Sequence, residues 1–117
     1  MLTNDESGRF DLKRALARFA GDTELLGEAI AIFKEEAPKH LDRIKELLSG
    51  GSLQDIIGHA HTLKGECGAV GAVTAHFMSE SLEKAAKNND FSASKELFGQ
   101  VEEEVRTAID QLPDSTV

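Results

Sequence analysis

Among the side chains that could carry chemistry in this sequence, the imidazole of His61 has the most unusual neighbours. On a helix, residues three and four positions apart touch, so His61 would lie beside Gly58, Lys64 and Gly65. A glycine inside a helix costs about 1 kcal/mol relative to alanine, and stability alone does not explain this group of glycines. They leave the ring bare, with one ammonium group nearby. Such a histidine suits the reversible addition of an anionic group.

The helix that carries His61 has an apolar stripe within about a third of its circumference. His61 lies about 110° from the centre of that stripe, on its flank, so we expect a ring that is anchored but open to water. Gln54 lies on the same side of the helix as His61. We predict a docking surface for a second protein made of Gln54, Gly58, Gly65 and Gly68. The stripe consists of Leu53, Ile56, Ile57, Ala60, Leu63 and Cys67.

The segment His61-Thr62-Leu63-Lys64-Gly65, with Gly71 after it, resembles the core motif of the histidine-containing phosphotransfer (HPt) domain family. The motif lies within residues 60–71, and the expected helix lengths are similar to those of the family over almost the whole chain. The resemblance implies that His61 accepts a phosphoryl group and relays it between receiver-domain aspartates in a multistep two-component phosphorelay. Lys64 would be the charge partner of the phosphoryl oxygens.

The resemblance also implies the partners, which are response-regulator receiver domains and a sensor histidine kinase. The sequence has no aspartate cluster for Mg²⁺ near His61. The receiver would therefore supply the metal and the catalytic groups, and this chain would be a phosphocarrier with no cofactor of its own, not an enzyme. The alternative is a helical interaction module that binds a receiver or a kinase without being phosphorylated.

Composition and charge disfavour several kinds of partner and location for this protein. The net charge is −8, from 21 acidic and 13 basic residues, which disfavours nucleic acid or an anionic membrane as a partner. No run of 18 apolar residues is present, and the N-terminus resembles no secretory signal. A single cysteine, Cys67, cannot form an internal disulfide, so we expect a cytoplasmic location. We take a monomer as the default.

The remaining histidines and the acidic run predict no further site. His59 would lie almost opposite His61 on the helix, so the two cannot share a metal ion. We interpret His40, His59 and His76 as surface or boundary residues, and expect no metal site. The run of glutamates at 102–104 is predicted to be a solvated face.

The periodicity predicts an all-α fold, an antiparallel up-down-up-down four-helix bundle with a short additional N-terminal helix. We expect helices at about 22–49, 53–67 and 72–88, followed by a last helix capped by Asp90 and closed by Pro113. The helix at 53–67 could extend to Ala69 or fray earlier. Pro38 should bend the first long helix, and the alternative is two helices broken at Ala37. The predicted domain covers residues 9–113, between a flexible N-terminus (1–8) and a tail (114–117).

Overall fold

The computed structural model describes residues 8–114, in which five helices follow one another along the chain. Helices α2 to α5 form the antiparallel up-down-up-down bundle, and α1 packs on α2 and α3 at one end. Our expectations for residues 1–7 and 115–117 lie outside the described residues. Among the described helices, none is both long and apolar enough to cross a bilayer. The helices are α1 (Leu12–Arg18), α2 (Thr23–Leu48), α3 (Leu53–Ala69), α4 (Val73–Lys87) and α5 (Phe91–Gln111).

Side chains cap three of the bundle helices at their N-termini. Asp22 accepts hydrogen bonds from backbone N–H groups at the start of α2, and Ser52 and Asp90 do the same for α3 and α5. Each cap satisfies a donor that the first turn leaves without an intrahelical partner. The predicted cap at Asp90 is confirmed, and α3 extends to Ala69.

Helix α2 is continuous through Pro38. Residues on both sides of the proline, among them Phe33, Ala37, Leu41 and Ile44, are buried in the same core. The apolar stripe stays in phase, and its burial outweighs the hydrogen bond that a proline removes. The alternative of two helices broken at Ala37 is therefore wrong, while the bend itself stays a prediction.

The segment before α1 is fastened to the bundle by backbone hydrogen bonds and by an ion pair. The Asp11 backbone N–H donates to the Gly71 carbonyl at 2.8 Å, and Gly71 has a φ of +77°. Arg9 forms an ion pair with Glu104 at 2.8 Å. Glu104 is buried, so the prediction that residues 102–104 form a solvated face is wrong at this position. A carboxylate can be buried there because a guanidinium neutralises it.

Candidate functional site

His61 lies in the middle of α3, on the flank that faces α4. Its side chain is 66% exposed, as expected for a residue beside the apolar stripe. Its Nδ1 lies 2.9 Å from Oε2 of Glu83, a residue of α4. One ring nitrogen is thus bound to the bundle, which leaves Nε2 on the side away from that contact.

Glu83 connects His61 to two lysines. Its Oε1 lies 2.9 Å from Nζ of Lys64, and its Oε2 lies 3.2 Å from Nζ of Lys87. The Glu83 side chain is only 4% exposed. Burial raises the pKa of this carboxyl, but hydrogen bonds from Lys64, His61 and Lys87 outweigh burial and lower the pKa to about 2. Glu83 is therefore a carboxylate at neutral pH.

The charge of Glu83 fixes the form of the histidine. An ionised carboxylate can only accept hydrogen bonds, so Nδ1 of His61 must carry a proton and donate it. In the neutral imidazole, Nε2 then holds the free lone pair. This arrangement makes Nε2 the nucleophilic atom and points it away from the residue that holds the ring.

Lys64 and Lys87 place two cations beside this imidazole. The side chain of Lys64 is 23% exposed and that of Lys87 is 57% exposed. Both ammonium groups contact Glu83, so Lys64 lies next to His61 as the i+3 spacing predicts, and Lys87 adds a second cation from α4. The result is a group of one carboxylate, one imidazole and two ammonium groups at the surface.

The glycines near His61 differ in how much space they leave. A Cβ placed on Gly58 or Gly65 would meet no atom within 4 Å, so both leave open space. A Cβ on Gly68 would lie 3.0 Å from Nδ1 of His76. Arg18 also donates a hydrogen bond to the Gly68 carbonyl. The open strip near His61 therefore contains Gly58 and Gly65, whereas Gly68 lies beneath neighbouring side chains.

Gln54 is exposed in the first turn of α3, about two turns before His61. Its backbone N–H is bound to the Ser52 hydroxyl, while its side chain extends the same face of the helix. The structure thus places Gln54, Gly58 and Gly65 on one accessible face with His61.

On the opposite flank of α3, His59 contacts His40 of α2. Nδ1 of His40 and Nδ1 of His59 are 3.0 Å apart, and Nε2 of His40 lies 3.7 Å from Oε1 of Glu66. Burial, followed by the charges of His40 and Arg43, lowers the pKa of His59. Within residues 8–114, no group of three or more histidine, cysteine or acidic side chains has the geometry to hold a metal ion.

Sequence reasoning missed Glu83 and Lys87. A signal was present, because Glu83 lies between the buried residues Ser79 and Ala86 at helical spacing, on the apolar face of α4. A glutamate at such a position requires a positive partner, and Lys87 follows it at i+4. The partner on α3, however, could be identified only from the packing of the two helices.

Comparisons with known proteins agree with this description. A family model described as the Hpt domain matches residues 28–115. The crystal structure of the maize histidine-containing phosphotransfer protein ZmHP2 superimposes with a TM-score of 0.79 and 18% sequence identity, over 91% of this chain and 81% of the maize chain. A rice protein assigned to the same class gives a TM-score of 0.79 and 16% identity, over 92% and 81%. No curated protein matches at a significant level.

Proposed function

This chain belongs to the Hpt domain family of two-component signalling, and we propose that it relays phosphoryl groups between receiver-domain aspartates through His61. The observation that carries the proposal is the exposed imidazole whose Nδ1 is bound to a buried carboxylate. Such a contact orients the ring and leaves Nε2 free to react. The proposed partners are receiver domains of response regulators and an upstream sensor histidine kinase.

The proposed reaction is a direct exchange between two side chains. Nε2 of His61 attacks the phosphorus of a phospho-aspartyl group on the receiver. The N–P bond forms as the P–O bond to the aspartate breaks, and the aspartate leaves as a carboxylate. The Nδ1 proton stays in its hydrogen bond to Glu83. The reverse reaction returns the phosphoryl group to a receiver, so the same atoms serve both directions.

The neighbouring charges suit both states of the ring. As Nε2 forms its bond, positive charge grows on the imidazole, and the Glu83 carboxylate stabilises it. Lys64 and Lys87 are then available to the phosphoryl oxygens, because an ammonium group can contact more than one acceptor. Phosphoryl transfer depends mainly on positioning and on charge stabilisation, and this site supplies both.

The proposal also includes the source of the metal ion, the compartment and the oligomeric state. The receiver supplies Mg²⁺ and the groups that activate its own aspartate, so this chain is a phosphocarrier and not an enzyme. Its only cysteine, Cys67, is buried, which suits a reducing cytoplasm. We expect it to act as a monomer, since a relay protein must present His61 to successive partners.

The proposal is tested by labelling. Incubation with a receiver phosphorylated from acetyl phosphate should transfer label to the wild-type protein as an acid-labile, base-stable modification. His61→Gln should abolish transfer and keep the fold, because the ring is exposed. His59→Gln is the matched control on the same helix and should still be labelled. Label that persists in His61→Gln, or its absence from the wild type with every receiver of the source organism, would contradict the proposal. Binding without labelling would favour an interaction module.

A further inference from the structure

A cavity of about 490 Å³ opens between α1 and the helices α3 and α4. It begins at Gly65, one turn of α3 beyond His61. Small and apolar residues form much of its lining, including Ala69, Val73 and Phe77. Phe77 is 58% exposed and forms part of the cavity wall. The cavity is thus an apolar depression at the edge of the proposed docking face.

The side of the cavity formed by α1 is positively charged. Arg14 and Arg18 both line it. Helix α1 carries Lys13, Arg14 and Arg18 and no acidic residue, although the chain as a whole has 21 acidic residues. The one acidic residue in the lining, Asp11, accepts a hydrogen bond from the Arg14 backbone N–H and caps the helix. The positive charge of α1 is therefore concentrated where the cavity opens.

The two arginines are engaged differently. Arg18 donates a hydrogen bond to the Gly68 carbonyl, which ties it to α3. The guanidinium of Arg14 is exposed and has no ion-pair or hydrogen-bond partner among residues 8–114. A cation at the rim of an apolar cavity that no acid neutralises is available to a partner.

The family assignment leaves this feature unexplained. The Hpt model matches residues 28–115, so α1 lies outside the matched region. The match therefore does not define the task of α1 in this chain.

We propose that the cavity between α1, α3 and α4 binds an acidic segment of the partner receiver domain, with Arg14 as a residue that determines specificity. This inference rests on the proposed function, because the segment must belong to the domain that exchanges the phosphoryl group with His61. An apolar side chain of the segment contacts Phe77 and Val73, and its carboxylates face Arg14. Arg14 is remote from the reacting atoms, so it acts on association of the two proteins and not on the chemical step.

The test measures the second-order rate of phosphoryl transfer from the receiver that labels His61 fastest among those of the source organism. The variants are Arg14→Glu, Arg14→Lys and, as a charge-reversal control, Lys95→Glu, at an exposed position near the start of α5. Arg14 is the third residue of α1, where an acidic side chain near the helix N-terminus is favourable, so the variant should fold.

At about 50 mM salt, Arg14→Glu should slow transfer by roughly fivefold or more, because association of charged surfaces is electrostatically steered. Arg14→Lys and Lys95→Glu should stay within about twofold of the wild type. At about 1 M salt, where the Debye length is about 3 Å, the deficit of Arg14→Glu should disappear. Equal rates for Arg14→Glu and wild type at low salt, or an equal loss in Lys95→Glu, would overturn the inference.

A reagent that needs no protein partner separates this inference from the proposed function. Phosphoramidate phosphorylates accessible imidazoles directly, and it should label His61 equally in the wild type and in Arg14→Glu. Equal labelling with a specific loss of transfer from the receiver supports the inference. Equal labelling with unchanged transfer overturns the inference alone. A His61 that neither phosphoramidate nor any receiver labels overturns the proposed function, and the inference with it.

Discussion

The two flanks of α3 carry histidines two residues apart in different surroundings. On the flank facing α4, Nδ1 of His61 contacts a carboxylate, that of Glu83. On the flank facing α2, Nδ1 of His59 contacts another imidazole, that of His40. Both contacts are close to 3 Å, at 2.9 and 3.0 Å. The residue type and the distance are thus nearly the same, and only the partner differs.

The difference between the partners decides what each ring can do. A carboxylate can only accept hydrogen bonds, so it fixes one tautomer of His61 and would stabilise a positive charge on the ring during the proposed transfer. An imidazole can donate or accept, so the His40–His59 contact does not fix which nitrogen is protonated. The residue on α4, more than the histidine itself, therefore sets which ring nitrogen of His61 carries the free lone pair.

The largest effect is expected from replacing the residue that contacts His61. Replacing the residue that contacts His59 should have almost no effect. Glu83→Gln should slow phosphoryl transfer to His61 by about 10- to 100-fold, because a neutral amide cannot stabilise the charged ring. His40→Gln should change the rate by less than about twofold, since His59 takes no part in transfer. The measurements are the transfer rate and the ¹⁵N chemical shifts of His61, which report its tautomer. Similar losses of transfer rate in both variants, or a wild-type His61 that carries its proton on Nε2 instead of Nδ1, would contradict this account.

The open strip of Gly58 and Gly65 lies between the two flanks of α3. Filling it with a side chain tests whether this space allows a partner protein to approach His61. Gly65→Leu should slow transfer by roughly tenfold, because a bulky side chain would hold a docking protein away from the ring. The same change should raise the free energy of unfolding by about 1 kcal/mol, since leucine is a better helix former than glycine. Transfer assays and urea unfolding measure the two effects.

Gly99→Leu is the matched control for this prediction. Gly99 also lies inside a helix, α5, and a Cβ there would meet nothing within 4 Å. The control should gain similar stability and keep its transfer rate. A normal transfer rate in Gly65→Leu would show that the strip is not part of the docking surface.

The smallest effects concern how stability depends on pH. The pKa of Glu83 on one flank is lowered, whereas the pKa of Glu66 on the other flank is raised. Because the pKa of Glu83 is lowered from 4.5 to about 2, its contribution to stability is present above pH 4.5 and is lost as the pH falls toward 2. Burial, followed by the charge of Glu36, raises the pKa of Glu66 above 4.5, so its ionised form weakens the fold at neutral pH.

At pH 7, Glu83→Gln should therefore lower the free energy of unfolding by about 2 kcal/mol, and Glu66→Gln should raise it by roughly 0.5 kcal/mol. The Glu66→Gln difference should vanish as the pH falls through the raised pKa of Glu66. The Glu83→Gln difference should persist to pH 4.5 and then fade toward pH 2. Urea unfolding at a series of pH values measures both, and the same sign for both variants would contradict the assigned charges.

Much of the fold could be predicted because its signals are local. Asp22 and Asp90 cap the helices that directly follow them, and the stripe across Pro38 repeats within one helix. The family membership is confirmed by the match over residues 28–115. The roles of His61, Lys64 and the docking residues stay predictions, on which the proposed experiments bear.

What could not be predicted depends on how helices rotate against one another. Glu83 lies 22 positions from His61, and Glu104 lies 95 positions from Arg9. Neither pair has a spacing that a helical period can reveal, since each joins separate elements. The same limit explains why Gly68, predicted as open docking space, lies against His76. Its neighbour belongs to α4, and periodicity on α3 alone cannot show it.

The attachment of α1 has a consequence for how this protein can change during evolution. A Cβ at Gly71 would lie 2.5 Å from the Asp11 carbonyl oxygen, so any larger residue there would displace Asp11 and the start of α1 from the bundle. The outward-facing side chains of α1 are not restricted by this packing. A lineage could therefore alter the exterior of α1, and with it the partner preference proposed above, while the residues around His61 stay unchanged. Gly71 is the residue on which that freedom depends.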